Sequence, residues 1–401
     1  MKTKTTILYI FQDSSIGGGP YCLLRLIEQL DKELFNPIVL LKVPGPLSVE
    51  LEKLGVQVYF DKWISEMPYN KSLFNLTSLW LVFSTLVSLR KIKSWIKKTD
   101  ADIIHLNTML MYPYLRIVKR LNKKGVIHIR EFWPNEEHQF QFSVLNKRIQ
   151  KYADKIIAIN ESSAKMIGKS AKVHIVFDWV NFKNRSEKID FETLFGKDYK
   201  ALKIFTFLGG TNWIKGGLEI VEAFSNPSLP DNIRLLLVGS NKEEVKLFGM
   251  TGIIKKILAY FNYYRYSDQV IDAAKKNSKV VLMPKTNHIK SLLEQSYSLI
   301  SYYTVPHANL PLAEACWLGV PAIAAETLEA KEYSNDGKSA LLFKMNDKED
   351  FKNKISFAIV NGELIKANAT NGMASIQKKF NPIINSNLIK AIYSNLIIAN
   401  P

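Results

Sequence analysis

TILYIFQDSSIGGGPYCLLRLIEQL, residues 6–30, contains a short apolar run, a glycine-rich turn and an amphipathic stretch, in that order. The run TILYIF (6–11) is apolar almost throughout, which is typical of a strand buried on both faces of a parallel sheet. After the turn, apolar residues recur at helical spacing, at Leu23, Leu24, Ile27, Leu30 and Leu34. The stretch therefore predicts a strand, a tight turn and a helix with Pro20 at its first position.

The same alternation of short apolar runs and helix-length stretches continues along the chain. In the first half the runs are PIVLLKV (37–43), VQVYF (56–60), ADIIHL (101–106), GVIHIRE (125–131) and KIIAIN (155–160). In the second half they are KIFTFLGG (203–210), RLLLVGS (234–240), KVVLMP (279–284), SLISYY (298–303), PAIAAE (321–326) and ALLFKM (340–345). This order predicts an α/β protein with two Rossmann-like, doubly wound domains that face a cleft.

The length of 401 residues also favours two domains, because it exceeds what one core usually serves. Residues 181–200 are polar and aperiodic, so we expect a linker between an N-terminal domain (1–180) and a C-terminal domain (201–379). The remaining residues, 380–401, carry an apolar stripe at helical spacing that must be buried against another element. The stripe consists of Ile383, Ile384, Leu388, Ile389, Ile392 and Leu396.

The chain is strongly basic, with 54 Lys and Arg against 37 Asp and Glu and a net charge of +17. A surface of this kind attracts anionic partners. The positive residues are spread in short doublets, without zinc-finger spacing or an RRM-type aromatic motif, so we do not expect nucleic acid to be the partner. An anionic membrane surface is the preferred interpretation, and a lysine-rich composition without a specific role is an equal alternative.

One stretch points to the membrane more directly. Residues 73–89, LFNLTSLWLVFSTLVSL, are apolar with scattered Asn, Ser and Thr, and the basic RKIKSWIKK follows. The stretch is too short and too polar for a membrane span, but it suits an amphipathic helix in the interface. The alternative is a core helix with a basic exit. A second basic, aromatic stretch, KKILAYFNYYRY (255–266), is expected to assist.

The two cysteines, Cys22 and Cys316, lie in apolar helical patterns, which favours packed, reduced thiols and a cytoplasmic protein. The first apolar run is too short for a signal peptide, and Asp13 interrupts it. We therefore expect a cytoplasmic location, peripheral on the inner face of the membrane. The six histidines show no close ligand spacing, so we expect no metal and no cofactor.

Two glycine-rich turns are suited to phosphate binding. Gly18 and Gly19 follow the first strand, where backbone amides can approach an anion, although the spacing does not fit G-x-G-x-x-G and a plain tight turn is the alternative. Gly209 and Gly210 follow the first strand of the second domain, and Lys215 comes just before the next helix. A lysine is unfavourable there unless an anion is bound between them, and the alternative is a solvated loop lysine.

An acidic residue lies inside PHANLPLAEACWLGVPAIAAE, residues 306–326. Asn309 is the expected N-cap of a short helix, Pro311 lies in its first turn and Gly319 is suited to its end. Glu314 is then one turn into the helix among apolar neighbours, where a carboxylate can accept hydrogen bonds from two vicinal hydroxyls of a ribose. The alternative is a surface glutamate near a helix start.

Six segments, in order, resemble bacterial glycosyltransferases of family 4, which have the GT-B fold: GGGPYCLLRLIEQL, ADIIHLNT, DKIIAINESSAKMI, FLGGTNWIKGGLEIVEAF, RLLLVGS and PLAEACWLGVPAIAAE. The resemblance covers nearly the whole chain. It implies transfer of a sugar, with retention at the anomeric carbon, from a UDP-, GDP- or dTDP-sugar to a lipid-linked or surface-polysaccharide glycan. It also implies an acceptor in the first domain, a donor in the second and a last helix that crosses back to the first.

The resemblance further implies roles for single residues. Glu314 matches the second glutamate of the family's E-x7-E motif, which holds the donor ribose, and Lys215 matches the lysine that contacts the diphosphate. The other residues expected beside the donor are Gly18, Gly19, Gly209, Gly210, Asn309 and Leu310. Asn107, Arg130 and Glu131 are expected in the cleft or near the acceptor. No catalytic residue is assigned.

The chain departs from the family pattern at three positions. Pro306 replaces the first glutamate of E-x7-E, the arginine usually paired with the lysine is missing near Gly210, and Arg130 aligns with the family's cleft histidine. Arg130 is one hypothetical source of the missing charge, and a simple pair with Glu131 is the alternative. A catalytically silent GT-B protein that binds nucleotide or glycan beside an active transferase is the competing function. A nucleotide-sugar epimerase of the same architecture is a third, expected to carry more acids and histidines facing the cleft.

Overall fold

The structure is a computed structural model, which describes residues 4–15, 17–69, 76–133, 138–182, 188–240 and 266–398. The chain divides into two compact units: an N-terminal unit, Met1–Asn181 with Phe380–Pro401, and a C-terminal unit, Phe182–Lys379. Each unit has one sheet in which every neighbouring pair of strands is parallel. The two Rossmann-like α/β domains expected from the sequence are therefore confirmed.

The N-terminal unit is built on a seven-stranded sheet with the order β3-β2-β1-β4-β5-β6-β7. Its strands are β1 (Thr5–Phe11), β2 (Phe35–Leu41), β3 (Gln57–Phe60), β4 (Ile103–Leu106), β5 (Lys124–Ile129), β6 (Lys155–Ala158) and β7 (Val173–Ile175). Its helices, up to β7, are α1 (Gly18–Glu28), α2 (Pro46–Lys53), α3 (Leu76–Thr99), α4 (Leu115–Arg120), α5 (Gln139–Tyr152) and α6 (Glu161–Ile167), with a 3₁₀ helix at Met109–Tyr114.

The C-terminal unit has a six-stranded sheet with the order β10-β9-β8-β11-β12-β13. The strands are β8 (Lys203–Phe207), β9 (Ile233–Val238), β10 (Val280–Met283), β11 (Ser298–Ser301), β12 (Ala322–Ala325) and β13 (Leu341–Phe343). The helices are α7 (Phe191–Phe195), α8 (Gly217–Ala223), α9 (Tyr266–Lys276), α10 (Ile289–Glu294), α11 (Leu310–Trp317), α12 (Leu328–Tyr333), α13 (Lys348–Val360) and α14 (Gly362–Lys379), with 3₁₀ helices at Tyr199–Ala201 and Trp213–Lys215.

Strand order reverses once in each sheet, at β1/β4 in the N-terminal unit and at β8/β11 in the C-terminal unit. In doubly wound sheets, ligands bind at the carboxyl ends of the strands on either side of such a reversal. The loops that follow these four strands are therefore where each unit is best placed to hold a ligand.

The last helix, α15 (Pro382–Ile398), belongs to the N-terminal unit. Ile389, Ile392, Tyr393 and Leu396 are buried in the core that contains Tyr9 of β1. The expectation that the whole apolar stripe is buried is wrong for its first turns, because Ile383, Ile384 and Leu388 are exposed. Tyr393, which the predicted stripe did not include, is buried instead.

Other local expectations also need correction. Helix α1 begins at Gly18, so Pro20 is its third residue, and Leu34 lies beyond the helix end and is 56% exposed. Strand β7 was not predicted, because Val-His-Ile is too short and too mixed to stand out as an apolar run.

Within the stretch interpreted as a linker, Asp190 caps α7 and Phe191 is buried. Residues 255–265 of the second basic, aromatic stretch lie outside the described residues.

Cys22 and Cys316 are both buried and free, as expected. Across the described ranges, no helix is long and apolar enough to cross a bilayer. Those same ranges contain no group of three or more His, Cys, Asp or Glu side chains arranged to hold a metal ion.

Candidate functional site

In the turn after β8, Gly209 and Gly210 place backbone without side chains at the edge of the C-terminal sheet. A Cβ atom on Gly209 would lie 1.9 Å from the ring of Phe207. Gly210 has a φ angle of 60°, and a Cβ atom on it would lie 2.7 Å from the carbonyl oxygen of Gly239, in the loop after β9. Neither position accommodates a side chain, so the chain passes the strand ends as bare peptide groups, partly buried at Gly209 and buried at Gly210. Peptide groups without side chains are of the kind that approach phosphates closely.

Lys215 lies beyond this turn, at the end of the 3₁₀ helix that Asn212 caps through the backbone amide of Ile214 (3.0 Å). The lysine is partly buried, and in the part of the chain that the structure describes its side chain forms no hydrogen bond or ion pair. Its pKa lies below the ordinary value because the side chain is desolvated and because Lys285 adds a like charge nearby. Two neighbouring lysines, neither with a carboxylate partner among the described residues, form a site suited to a dianion.

Lys285 was not among the residues predicted from the sequence, since the family pattern places an arginine near Gly210. It is exposed and follows β10 by two residues, so it comes from the same carboxyl edge of the sheet as Lys215. The available signal was a lysine directly after the apolar run KVVLMP, at the end where parallel strands place their ligand-binding loops.

The helix that follows β11 begins beside this turn. Gly209, Lys215, Tyr303 and Pro311 line one small pocket, so the β8 loop and the first turn of α11 share a surface. Asn309 is the N-cap, as expected: its Oδ1 accepts hydrogen bonds from the Leu312 amide (3.2 Å) and from Ser301 Oγ (2.8 Å). This fixes the helix start, where free amides and the helix dipole favour an anion.

Glu314 lies inside α11 and is only 6% exposed. A surface glutamate, which was the alternative, is excluded by this burial. Leu310 is the first residue of the helix, Pro311 follows it, and Gly319 has the left-handed φ angle of 65° that ends the helix. The structure thus brings Gly209, Lys215 and the start of α11 together, with Glu314 one turn further along.

In the N-terminal unit, a second predicted group gathers at the ends of β1, β4 and β5. The Nδ2 atom of Asn107 lies 3.5 Å from the carbonyl oxygen of Gly19, and Arg130 Nε donates to Asn107 Oδ1 at 3.2 Å. Gly18 has a φ angle of 45°, which glycine adopts without strain. Gly19 lies beside Arg130, since a Cβ atom on it would be 3.6 Å from Arg130 Cδ.

The interpretation of Arg130 and Glu131 as a simple pair is wrong. The Arg130 guanidinium forms its ion pair with Asp178, and only 7% and 14% of the two side chains are exposed. Glu131 instead accepts hydrogen bonds from Thr108 Oγ1 and from the amides of Met109 (3.1 Å) and Arg130 (3.2 Å). Because Asp178 already neutralises Arg130, Lys285 is a better candidate than Arg130 for the missing diphosphate charge.

A buried chain of polar side chains runs from Arg130 to the last helix. An Arg130 guanidinium nitrogen lies 3.4 Å from His128 Nδ1, the rings of His128 and His105 are 5.4 Å apart, and the Tyr393 hydroxyl lies 2.7 Å from His105 Nδ1. Burial, and then the charge of Arg130, lowers the pKa of His105 to about 3. The imidazole ring is therefore neutral at physiological pH. No local pattern in the sequence predicts this network, because Tyr393 is far from its other members in the chain.

Glu66, which was also not predicted from the sequence, adds a titratable carboxyl group near this edge. Its carboxylate accepts a hydrogen bond from Gln12 Nε2. Burial, then the charge of Glu131 and then that of Asp13, raises the pKa of Glu66 to about 7. A carboxyl group that exchanges its proton near neutral pH is suited to accept a hydrogen bond or a proton from a hydroxyl group.

Comparisons with known proteins agree with this architecture. Residues 190–373, slightly under half of the chain, match the family model "Glycosyl transferases group 1". This region lies within the C-terminal unit and contains Gly209, Lys215, Lys285 and Glu314. No curated protein sequence matches the chain.

Several solved structures have the same fold over the full length. HepE of Anabaena, crystallised with UDP and glucose, is 17% identical with a TM-score of 0.72, covering 97% of this chain and 99% of that one. Sucrose-phosphate synthase of Thermosynechococcus elongatus is 14% identical with a TM-score of 0.70, covering 99% and 100%. A putative UDP-N-acetylglucosamine 2-epimerase of Listeria monocytogenes is 14% identical with a TM-score of 0.57, covering 99% and 98%. At these identities the likeness establishes the GT-B fold alone, and that expectation is confirmed.

Proposed function

We propose that the protein is a glycosyltransferase that moves a sugar, with retention, from a nucleotide sugar to a lipid-linked or surface-polysaccharide acceptor at the cytoplasmic face of a membrane. The observation that carries this proposal is Lys215, which lines one pocket with Gly209 and Pro311 and whose side chain pairs with no carboxylate among the described residues. It lies in the region that matches the family model "Glycosyl transferases group 1". The fold shared with HepE, which was crystallised with UDP and glucose, supports UDP as the first nucleotide to test.

The C-terminal unit is proposed to hold the donor. The diphosphate binds between the two lysines, the peptide groups at Gly209 and Gly210, and the amides at the start of α11 near Asn309 and Leu310. Glu314 accepts hydrogen bonds from the ribose hydroxyls. These contacts suit a nucleotide whose phosphates carry negative charge and whose ribose presents two vicinal hydroxyls.

The chemistry proposed for this site is stabilisation of the leaving group. When the bond between the anomeric carbon and the diphosphate oxygen breaks, negative charge grows on the diphosphate. In the proposed site, Lys215, Lys285 and the backbone amides stabilise this charge, and they do so more in the transition state than in the ground state. Basic side chains and backbone amides are groups that can stabilise a negatively charged leaving group.

The N-terminal unit is proposed to hold the acceptor. Glu66 and Glu131 place two carboxyl groups beyond the ends of β3 and β5. Asn107, after β4, is fully buried between Gly19 and Arg130 and so acts on this edge only by positioning Arg130. Carboxyl groups hydrogen-bond sugar hydroxyls, and the raised pKa of Glu66 suits it to receive a proton from the attacking hydroxyl.

A two-stage experiment tests the proposal. UDP-, GDP- and dTDP-sugars are first screened for thermal stabilisation of the purified protein, and a hit is then assayed for release of nucleoside diphosphate with bacterial glycolipid acceptors. Binding followed by acceptor-dependent release supports the proposal, and product linkage determined by NMR tests retention. Failure of every nucleotide sugar to stabilise the protein would contradict it.

A catalytically silent nucleotide- or glycan-binding protein is the second candidate. Pro306 favours it, because the position lacks the carboxylate that the resemblance implies. It predicts binding without release in the same assay. The epimerase alternative predicts a donor whose sugar is recovered with one inverted carbon and with no transfer.

A further inference from the structure

The first half of helix α3 exposes apolar side chains and buries polar ones, unlike an ordinary surface helix. Its large apolar side chains Leu76, Leu79, Trp80, Phe83 and Leu86 are 51–86% exposed. Its small polar side chains Ser78, Ser84, Thr85 and Ser88 are buried, with at most 7% exposed. The pattern is the reverse of the usual arrangement, in which a helix turns its apolar face to the core.

Hydrogen bonds fix this orientation. Ser84 Oγ lies 2.8 Å from Ser65 Oγ, and Ser88 Oγ lies 2.7 Å from the hydroxyl of the buried Tyr114. In the second half of the helix, Ile92 and Ile96 are fully buried in the core of the N-terminal unit. Rotating the helix to bury its apolar side would break these contacts and expose the two isoleucines, so the outward apolar face belongs to the folded state.

The five exposed apolar residues form one continuous stripe, which we call the α3 stripe. Their spacing of i, i+3, i+4, i+7 and i+10 places them on one side of the helix, over about 15 Å. Trp80 and Phe83 lie side by side, with ring centroids 5.8 Å apart. Contiguous exposed apolar groups of this size mark a binding surface.

The charge of the same helix indicates what covers the stripe. After Leu86 the outward side becomes cationic, with exposed Arg90, Lys91, Lys93, Lys97 and Lys98. The sequence of α3 contains no Asp or Glu. A surface that is apolar along half its length and rich in cations, without an acidic residue, along the rest complements a bilayer interface with anionic headgroups. A second copy docked through this face would bring its own five cations to the contact.

We infer that the α3 stripe docks the protein on an anionic membrane, with Trp80 and Phe83 inserted among the acyl chains near the headgroups and Arg90 and Lys91 bound to lipid phosphates. The inference deepens the membrane location included in the proposed function. An aromatic residue at a helix surface of this kind is typical of the membrane interface, where the ring is partly apolar and partly wet.

Flotation of the full-length protein with vesicles tests the inference. Wild type is expected to float with phosphatidylcholine vesicles that contain phosphatidylglycerol, and much less with phosphatidylcholine alone. The double variant Trp80→Ser/Phe83→Ser should lose about tenfold or more of its partitioning, because it removes the two largest inserted groups. The matched control is Val360→Ser/Leu364→Ser, whose residues are 82% and 51% exposed on α13 and α14, and it should float like wild type.

A second pair of variants tests the charges. Arg90→Gln/Lys91→Gln should lose the preference for phosphatidylglycerol and its salt dependence. Its control, Lys275→Gln/Lys276→Gln, changes two exposed lysines at the end of α9 and should keep both.

Three outcomes would overturn the inference. They are no flotation of wild type at low salt, flotation of Trp80→Ser/Phe83→Ser equal to wild type, and a wild-type dimer in light scattering that the same substitutions dissociate. UDP binding by each variant is measured without vesicles. A variant that no longer floats but still binds UDP has lost membrane docking and has kept the proposed donor site.

Discussion

The hydroxyl group of Tyr393 lies 2.7 Å from Nδ1 of His105, so the last helix of the chain is hydrogen-bonded to the strand β4 in the middle of the N-terminal sheet. Both residues are fully buried. Tyr9 OH lies 3.2 Å from the Tyr393 hydroxyl and completes the connection. Helix α15 is therefore an integral part of the N-terminal core, and His105 joins it to the residues around Arg130.

Tyr393→Phe should lower the free energy of unfolding by about 1 to 3 kcal/mol, because it leaves a buried imidazole nitrogen without its donor. Denaturant titration followed by circular dichroism measures the change. Tyr302→Phe is the matched control: Tyr302 is equally buried, and among the described residues its hydroxyl has no hydrogen-bond partner. Equal losses in the two variants would show that the His105 contact contributes nothing.

Glu66 should make stability fall between about pH 4.5 and 7. Its pKa is near 4.5 in the unfolded chain and about 7 in the folded protein, so the folded state binds more protons in this window and loses stability as the pH rises through it. Glu66→Gln removes this dependence, and its advantage in melting temperature over wild type should grow from pH 5 to pH 8. A constant difference across this range would place the pKa elsewhere. The buried histidines are common to both proteins and cancel in the comparison.

Lys215→Ala and Lys285→Ala should each weaken UDP binding and leave uridine binding unchanged. Each lysine is assigned to the diphosphate, and a hydrogen bond to a charged group contributes about 1.5 to 3 kcal/mol. Calorimetric titration with both ligands measures this. Lys290→Ala, a neighbouring lysine paired with Glu294 on α10, is the control and should bind both ligands like wild type. Equal losses for UDP and uridine would place the lysines away from the phosphates.

Glu314→Gln keeps the shape of the side chain but replaces a charged acceptor by a neutral amide. Donor affinity should fall by about 1 to 2 kcal/mol. A 2′,3′-dideoxy donor supplies the sharper comparison, since it lacks both hydroxyls. Wild type should bind it more weakly than the parent donor, and Glu314→Gln should barely distinguish the two. If the variant discriminates as strongly as wild type, Glu314 does not hold the ribose.

Features that depend on local sequence patterns were predicted correctly. Runs such as TILYIF and RLLLVGS predicted buried parallel strands, and Asn309 and Gly319 predicted the two ends of α11. Contacts between residues far apart in the chain were not predicted. The pairing of Arg130 with Asp178 and the contact of Tyr393 with His105 span 48 and 288 residues. For residues 73–89 the sequence left an interfacial helix and a core helix open, because the hydrogen bonds to Ser65 and Tyr114 that set which side of α3 faces outward are not visible in its periodicity.

Sugar transfer from a nucleotide donor can be followed in a single labelling assay. Purified protein is incubated with a radiolabelled UDP-sugar, chosen from the stabilisation screen, and with glycolipids extracted from bacterial membranes. The proposed function predicts that label enters the lipid fraction as an equal amount of UDP is released, and that Lys215→Ala abolishes both. A protein that binds the UDP-sugar but leaves all of the label on the nucleotide, with every acceptor tried, would contradict it.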